Sequence, residues 1–139
     1  MKAVFDTNVI VSGLLSPHSH PGAIVRLIAA NRVQACLDAR IFAEYAEVLA
    51  RPKFKFDPRL VAMLLDYIKH SGEFTSCEPS LAALPDEDDR MFYEVALAAK
   101  ADCLVTGNER HFPRAACKKV KVLNPAQFTE FYSSLRKDD

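Results

Sequence analysis

Three stretches of the chain put acids and small polar groups where they could hold a divalent cation. The first is Lys2-Ala3-Val4-Phe5-Asp6-Thr7-Asn8, an apolar burst that stops on an acid, a hydroxyl and an amide. An Asp at the end of a short buried strand is carried to the rim of a sheet. In open α/β sheets, ligands bind in the crevice beyond the strand C-termini. Asp6 or Thr7 could equally cap the helix that follows. The second stretch is Pro85-Asp86-Glu87-Asp88-Asp89-Arg90, four acids in a row before a helix. The dipole at a helix start favours one or two acids, but four repel one another, and a bound cation relieves that repulsion. The third is Cys103-Leu104-Val105-Thr106-Gly107-Asn108, a second apolar run ending in small polar groups. Glu44 joins them from the edge of a helical apolar stripe. Oxygen-only sites of this kind suit Mg²⁺ or Mn²⁺.

The elements that must position these groups alternate along the chain. Lys2–Phe5 reads as a buried strand and Val9–Leu15 as a helix capped near Thr7 or Asn8. Residues 16–22 read as a loop by their Ser, Pro and Gly content, and Ala23–Asn31 as a helix. Val33–Leu37 is a second strand. Ile41–Ala50 has Ile41, Phe42, Tyr45, Val48 and Leu49 on one stripe. Arg59–His70 is a helix with Leu60, Met63, Leu64, Tyr67 and Ile68 inward. Glu73–Cys77 is a short strand, and Pro79–Asp88 a polar connection. Asp89–Lys100 is an Ala-rich helix, Asp102–Thr106 and Lys119–Leu123 are strands, and Pro125–Arg136 is a helix capped by Asn124 with proline at its first position. This order predicts an α/β fold with a parallel or mostly parallel sheet. If the first strand and Asp102–Thr106 are neighbours, Asp6, Asp89 and Asn108 converge, with Glu44 entering from its helix.

Composition narrows the class. The 139 residues suit a single domain spanning 1–139. Lys plus Arg balance Asp plus Glu at 18 each, so there is no global basic field. Polyanion binding must come from a local patch or from metal ions. Cys36, Cys77, Cys103 and Cys117 form no CxxC pair, which fits free thiols in a cytoplasmic protein and lacks zinc-ligand spacing. No apolar run approaches the roughly 20 residues needed to cross a membrane.

The ordered set Asp6-Thr7-Asn8, Glu44, Asp89 and Leu104-Val105-Thr106-Gly107-Asn108 resembles the motifs of PIN-domain nucleases across essentially the whole chain. The run Arg51-Pro52-Lys53-Phe54 resembles the branch of VapC-like ribonuclease toxins of toxin–antitoxin systems. The resemblance implies a Rossmann-like three-layer α/β/α sandwich, a Mg²⁺ or Mn²⁺ site, and hydrolysis of RNA phosphodiesters. It also implies a cognate antitoxin as partner and leaves room for a homodimer. Asp6, Glu44 and Asp89 match the family's first three acids, and Thr106 its hydroxyl. The chain departs at the fourth acid, where Asn108, Glu109 and His111 stand. Asn108 can offer a carbonyl oxygen but no charge.

Under this reading Asp6, Glu44, Asp89 and Asn108 are the metal-site candidates, the first three also catalytic. Asn8, Thr106 and Asp86 are outer partners or phosphate contacts, and His111 is a further phosphate candidate. Arg51, Lys53 and Lys55 are candidates for the RNA backbone. Arg114, Lys118, Lys119 and Lys121 form a second basic run of the same potential. The alternative is a PIN-like RNA-binding module with a weak or inactive metal site. A phospho-receiver or dehalogenase-like phosphatase also has acid-tipped strands, but the latter wants Asp at position 8, which is Asn.

Overall fold

The computed structural model describes residues 1–137. Five strands form one sheet in the order β3-β2-β1-β4-β5, with every neighbouring pair parallel. They are β1 (Lys2–Phe5), β2 (Gln34–Leu37), β3 (Glu73–Phe74), β4 (Cys103–Val105) and β5 (Val122–Leu123). Six helices flank the sheet: α1 (Thr7–Leu15), α2 (His20–Ala29), α3 (Ala39–Leu49), α4 (Pro58–Ser71), α5 (Arg90–Ala98) and α6 (Pro125–Lys137). The result is a three-layer α/β/α architecture.

The central strands are uniformly apolar because both of their faces are covered. Ala3, Val4, Phe5, Cys103, Leu104 and Val105 have no exposed surface. The chain leaves β1 toward β2 on one side and later returns to place β4 on the other. The strand order therefore reverses between β1 and β4, and at such a switch point a crevice opens beyond the strand ends. Phe5 is in register with Val105, so Asp6 and Thr106 emerge side by side at that crevice.

Several elements differ from the sequence reading. α2 starts at His20, so Pro21 and Gly22 lie in its first turn rather than in a loop. Ser19 caps it, accepting from the Gly22 amide at 3.2 Å, and proline is tolerated where its missing N–H has no helical partner. β3 and β5 shrink to two residues each. They lie at the sheet edges and pair on one side alone. In α4, Leu60 and Met63 are exposed rather than inward, at 63% and 68%. The sequence carries two overlapping stripes there, and the helix buries Val61 and Ile68. α6 has the expected cap in reciprocal form. Asn124 Oδ1 accepts from the Gln127 amide at 2.8 Å and Gln127 Oε1 from the Asn124 amide at 2.9 Å, as in a capping box. Phe128 of α6 then meets the Phe5 ring edge-on at 5.7 Å beneath the crevice.

Candidate active site

Asp6 occupies the N-cap position of α1, yet its carboxylate makes no capping hydrogen bond. Its Oδ2 instead accepts from Thr106 Oγ1 at 2.8 Å and from Asn8 Nδ2 at 3.4 Å. Thr106 Oγ1 also accepts from the Asn108 amide at 3.0 Å, and Asn8 Oδ1 from the Gly107 amide at 3.1 Å. The two strand-end segments are thus laced together across the switch point. A Cβ on Gly107 would stand 3.3 Å from Asn8 Oδ1, so a side chain there crowds this contact. From below, the buried Tyr45 hydroxyl of α3 donates to the carbonyl of Phe5 and fixes the strand end that carries Asp6.

Glu44 reaches the same region from α3. The Thr7 hydroxyl donates to its Oε2. Thr7 therefore serves as a holder for Glu44 rather than as a helix cap. Asp89 closes the short 3₁₀ turn 87–89 ahead of α5 and, like Asp6, caps nothing with its side chain. Of the four consecutive acids it alone is buried. Its Oδ2 lies 2.8 Å from His111 Nδ1 but receives no well-directed hydrogen bond.

The electrostatics join these groups. Burial holds the Asp6 carboxyl above its ordinary range, against the lowering effect of Thr106. Burial, and then the Asp6 charge, push Asp89 up to about 6. Burial and the Asp6 charge also raise Glu44, while the Thr7 hydroxyl opposes them. The His111 imidazole opposes the rise at Asp6 and Asp89 without cancelling it, and all three carboxyls stay above their ordinary range.

The other sequence candidates lie further out. Asp86 is exposed and caps the 3₁₀ turn through the Asp88 amide at 2.9 Å. Glu109 is exposed, its Oε1 accepting from Asn124 Nδ2 at 3.1 Å. Arg51, Lys53 and Lys55 sit beyond the end of α3 away from its rim-side start. Two contacts were not legible from spacing: the Tyr45 hydroxyl on Phe5 and the Thr7 hydroxyl on Glu44. The apolar stripe marks Tyr45 as buried, and a buried tyrosine hydroxyl seeks a partner. The sequence does not say which.

A cavity of about 680 Å³ opens one strand away. Asp38, Arg40, Phe74, Cys77, Arg90 and Glu94 are among its lining residues, and Asp6, Glu44 and Asp89 are not. Among the described residues no three acids, imidazoles or thiols close on a common point as a ready cage. The donor set still fits a cation. All its carboxylate donors are oxygens, and Asp89 Oδ2 is buried without a directed donor. Mg²⁺ usually retains several waters and takes one or two carboxylates rather than a full protein cage.

Comparisons with known proteins agree with this architecture. A protein of Methanocaldococcus jannaschii, called uncharacterized, is 27% identical over 148 residues, covering 94% of this chain and 90% of its own. No solved structure matches significantly. The family profile described as PIN domain matches residues 2–110, a span that runs from β1 past Asn108 and includes Asp6, Glu44, Asp89 and Thr106, and the chain belongs to that family.

Proposed function

We propose that this protein is a metal-dependent endoribonuclease, acting as the toxin of a toxin–antitoxin pair. PIN domains are generally metal-dependent nucleases that bind RNA. The observation that carries the reading here is the uncompensated acid pair. Asp6 and Asp89 sit at helix starts that they do not cap, and the Asp6 charge raises the affinity of Asp89 for protons. Asp6 and Asp89 would hold Mg²⁺ or Mn²⁺, directly or through water, with the Asn108 carbonyl as a neutral partner. When bound, the ion supplies an activated water and polarises the phosphate.

The chain's own residues do the positioning. Thr106 and Asn8 fix Oδ2 of Asp6, as partners of ligand carboxylates do. Thr7 holds Glu44, which orients water at the edge of the site. His111 beside Asp89 is placed to meet a phosphate oxygen. The antitoxin pairing rests on the resemblance of the Arg51-Pro52-Lys53-Phe54 run, and the cytoplasmic setting on the four free thiols.

The test is cleavage of total RNA with Mg²⁺, with Mn²⁺ and with a chelator. Divalent-dependent cleavage is the expected result. RNA binding without cleavage in either metal would reject the enzyme and favour a binding module. One observation leans toward that second reading: the fourth acidic position holds Asn108, which brings no charge.

A further inference from the structure

The basic residues fall in two runs with different surroundings. In the first, Arg51 is gripped by Glu47 at 2.9 and 3.1 Å. Lys53 lies over the Phe54 ring at 5.1 Å, and Arg59 is 3.8 Å from Asp57. Lys53 and Lys55 are exposed with no carboxylate within ion-pair distance among the described residues, but they line no groove beside the acids. In the second, Arg114, Lys118, Lys119 and Lys121 are all exposed. Among the described residues none of these four has a carboxylate within ion-pair distance. Lys121 rests on the Phe131 ring at 4.3 Å.

The loop that carries them is anchored. Phe112, Cys117 and Val120 are buried beneath it. The Ala116 and Cys117 amides donate to the Pro113 carbonyl at 3.0 and 2.9 Å, and the Val120 amide to Cys117 at 3.2 Å. The four cations line a groove of about 620 Å³ with Glu109 and Gln127. Leu123 also lines it, and the Leu123 carbonyl accepts from the Thr106 amide at 3.0 Å. Thr106 is the residue that holds Asp6, so the groove ends one strand from the acids.

We propose that this groove binds the phosphate backbone of the RNA strand and leads it to the acid rim. The proposal rests on the nuclease reading above. A neutral chain offers a polyanion no general attraction, and the uncompensated rim acids repel it. A fixed row of unpaired cations beside the rim supplies the missing attraction. Glu109 is the one acid lining the groove and is engaged by Asn124.

Phosphate contacts release counterions, with a salt slope of about −0.7 per contact on single strands. Binding of a fluorescent single-stranded RNA, measured by anisotropy in EDTA so that no cleavage intervenes, tests this across a salt series. R114Q/K118Q/K119Q should flatten the slope by about 2 and weaken binding roughly 100-fold at 0.1 M salt. K53Q/K55Q should bind as wild type. Both variants should melt like wild type, since every altered side chain is exposed. With Mn²⁺, the triple variant should raise KM for cleavage and leave kcat unchanged. Wild-type binding by the triple variant, or a loss confined to K53Q/K55Q, would overturn the groove and leave the nuclease reading standing. No RNA binding by the wild-type chain would overturn both.

Discussion

Adjacent strands of this sheet end in aspartates with opposite surroundings. Asp38 follows β2. Its Oδ1 caps α3 through the Ile41 amide at 3.1 Å, and its Oδ2 takes Arg40 at 2.8 Å. Arg40 also reaches the buried Glu94 at 2.9 Å, and Glu94 accepts the Ser80 amide at 2.6 Å. Asp38, Arg40 and Glu94 thus compensate one another inside the chain. Asp6 follows β1, one strand away. It caps nothing and has a hydroxyl and an amide for company. Asp89, beside it electrostatically, has one imidazole, charged only when protonated. An aspartate at a strand end is therefore no site by itself. What separates the two rims is whether the fold compensates the charge. Buried charge without a partner is expensive, and the β1–β4 rim keeps that cost where a ligand can relieve it.

Exchanging the two aspartates for asparagine gives the largest expected contrast. Asp6→Asn should lower metal-dependent RNA cleavage by roughly 10²- to 10³-fold, because an ion at the reaction centre contributes several kcal/mol. Its melting temperature without metal should not fall. Asp38→Asn should leave cleavage within a few-fold. Equal losses in both variants, each normalised to folded protein, would erase the distinction between the rims.

Divalent ions sharpen the same contrast without mutation. At 100 times its dissociation constant, Mn²⁺ should stabilise the protein by about 2.7 kcal/mol through binding the native state alone. Scanning calorimetry should show this in wild type and in Asp38→Asn, but not in Asp6→Asn. A shift that survives Asp6→Asn would move the ion to another part of the molecule.

The pH dependence of the metal-free protein reads the acids directly. Asp89 titrates near 6 in the fold against an ordinary 3.8, and Asp6 and Glu44 are raised too. Between those limits the native state binds more protons than the unfolded chain, so stability falls as pH rises. These groups should make the metal-free protein melt higher at pH 5 than at pH 7. Asp89→Asn should flatten that difference, and Asp38→Asn should retain it. A profile untouched by Asp89→Asn would place the titrating group elsewhere.

The smallest effect concerns the neutral member of the rim. Asn108→Asp should tighten Mn²⁺ severalfold, by adding the charge that the fourth position lacks. Glu109 faces Asn124 instead of supplying that charge. Weaker Mn²⁺ binding in Asn108→Asp, measured by calorimetric titration, would mean that the rim already holds as much negative charge as it tolerates.

Much of this protein was legible in its sequence because the governing patterns are local. The apolar bursts at β1 and β4, the stripe of α3 and the Asn124-Pro125 start of α6 follow from nearest-neighbour physics: burial period, proline geometry and capping. The parallel sheet follows from their alternation. The α4 stripe holds at Ile68, with Leu64 and Tyr67 partly buried on the core, but two apolar periods overlap within the helix and packing buries Val61 in place of Leu60 and Met63. The PIN motifs marked Asp6, Glu44 and Asp89 as acids of interest. They did not distinguish these from Asp38, which has the same strand-end setting. That distinction needed partners distant in the chain. Thr106 is 100 residues from Asp6, and Arg40 is 54 from Glu94. Which basic run lines a groove beside the rim was equally hidden, since each lysine's neighbours depend on how loops fold over the core. The sequence by itself determined where charges stand along the strands and helices, because those positions follow from local conformation. Only the tertiary structure decided which charges are neutralised, because compensation requires groups to meet in space.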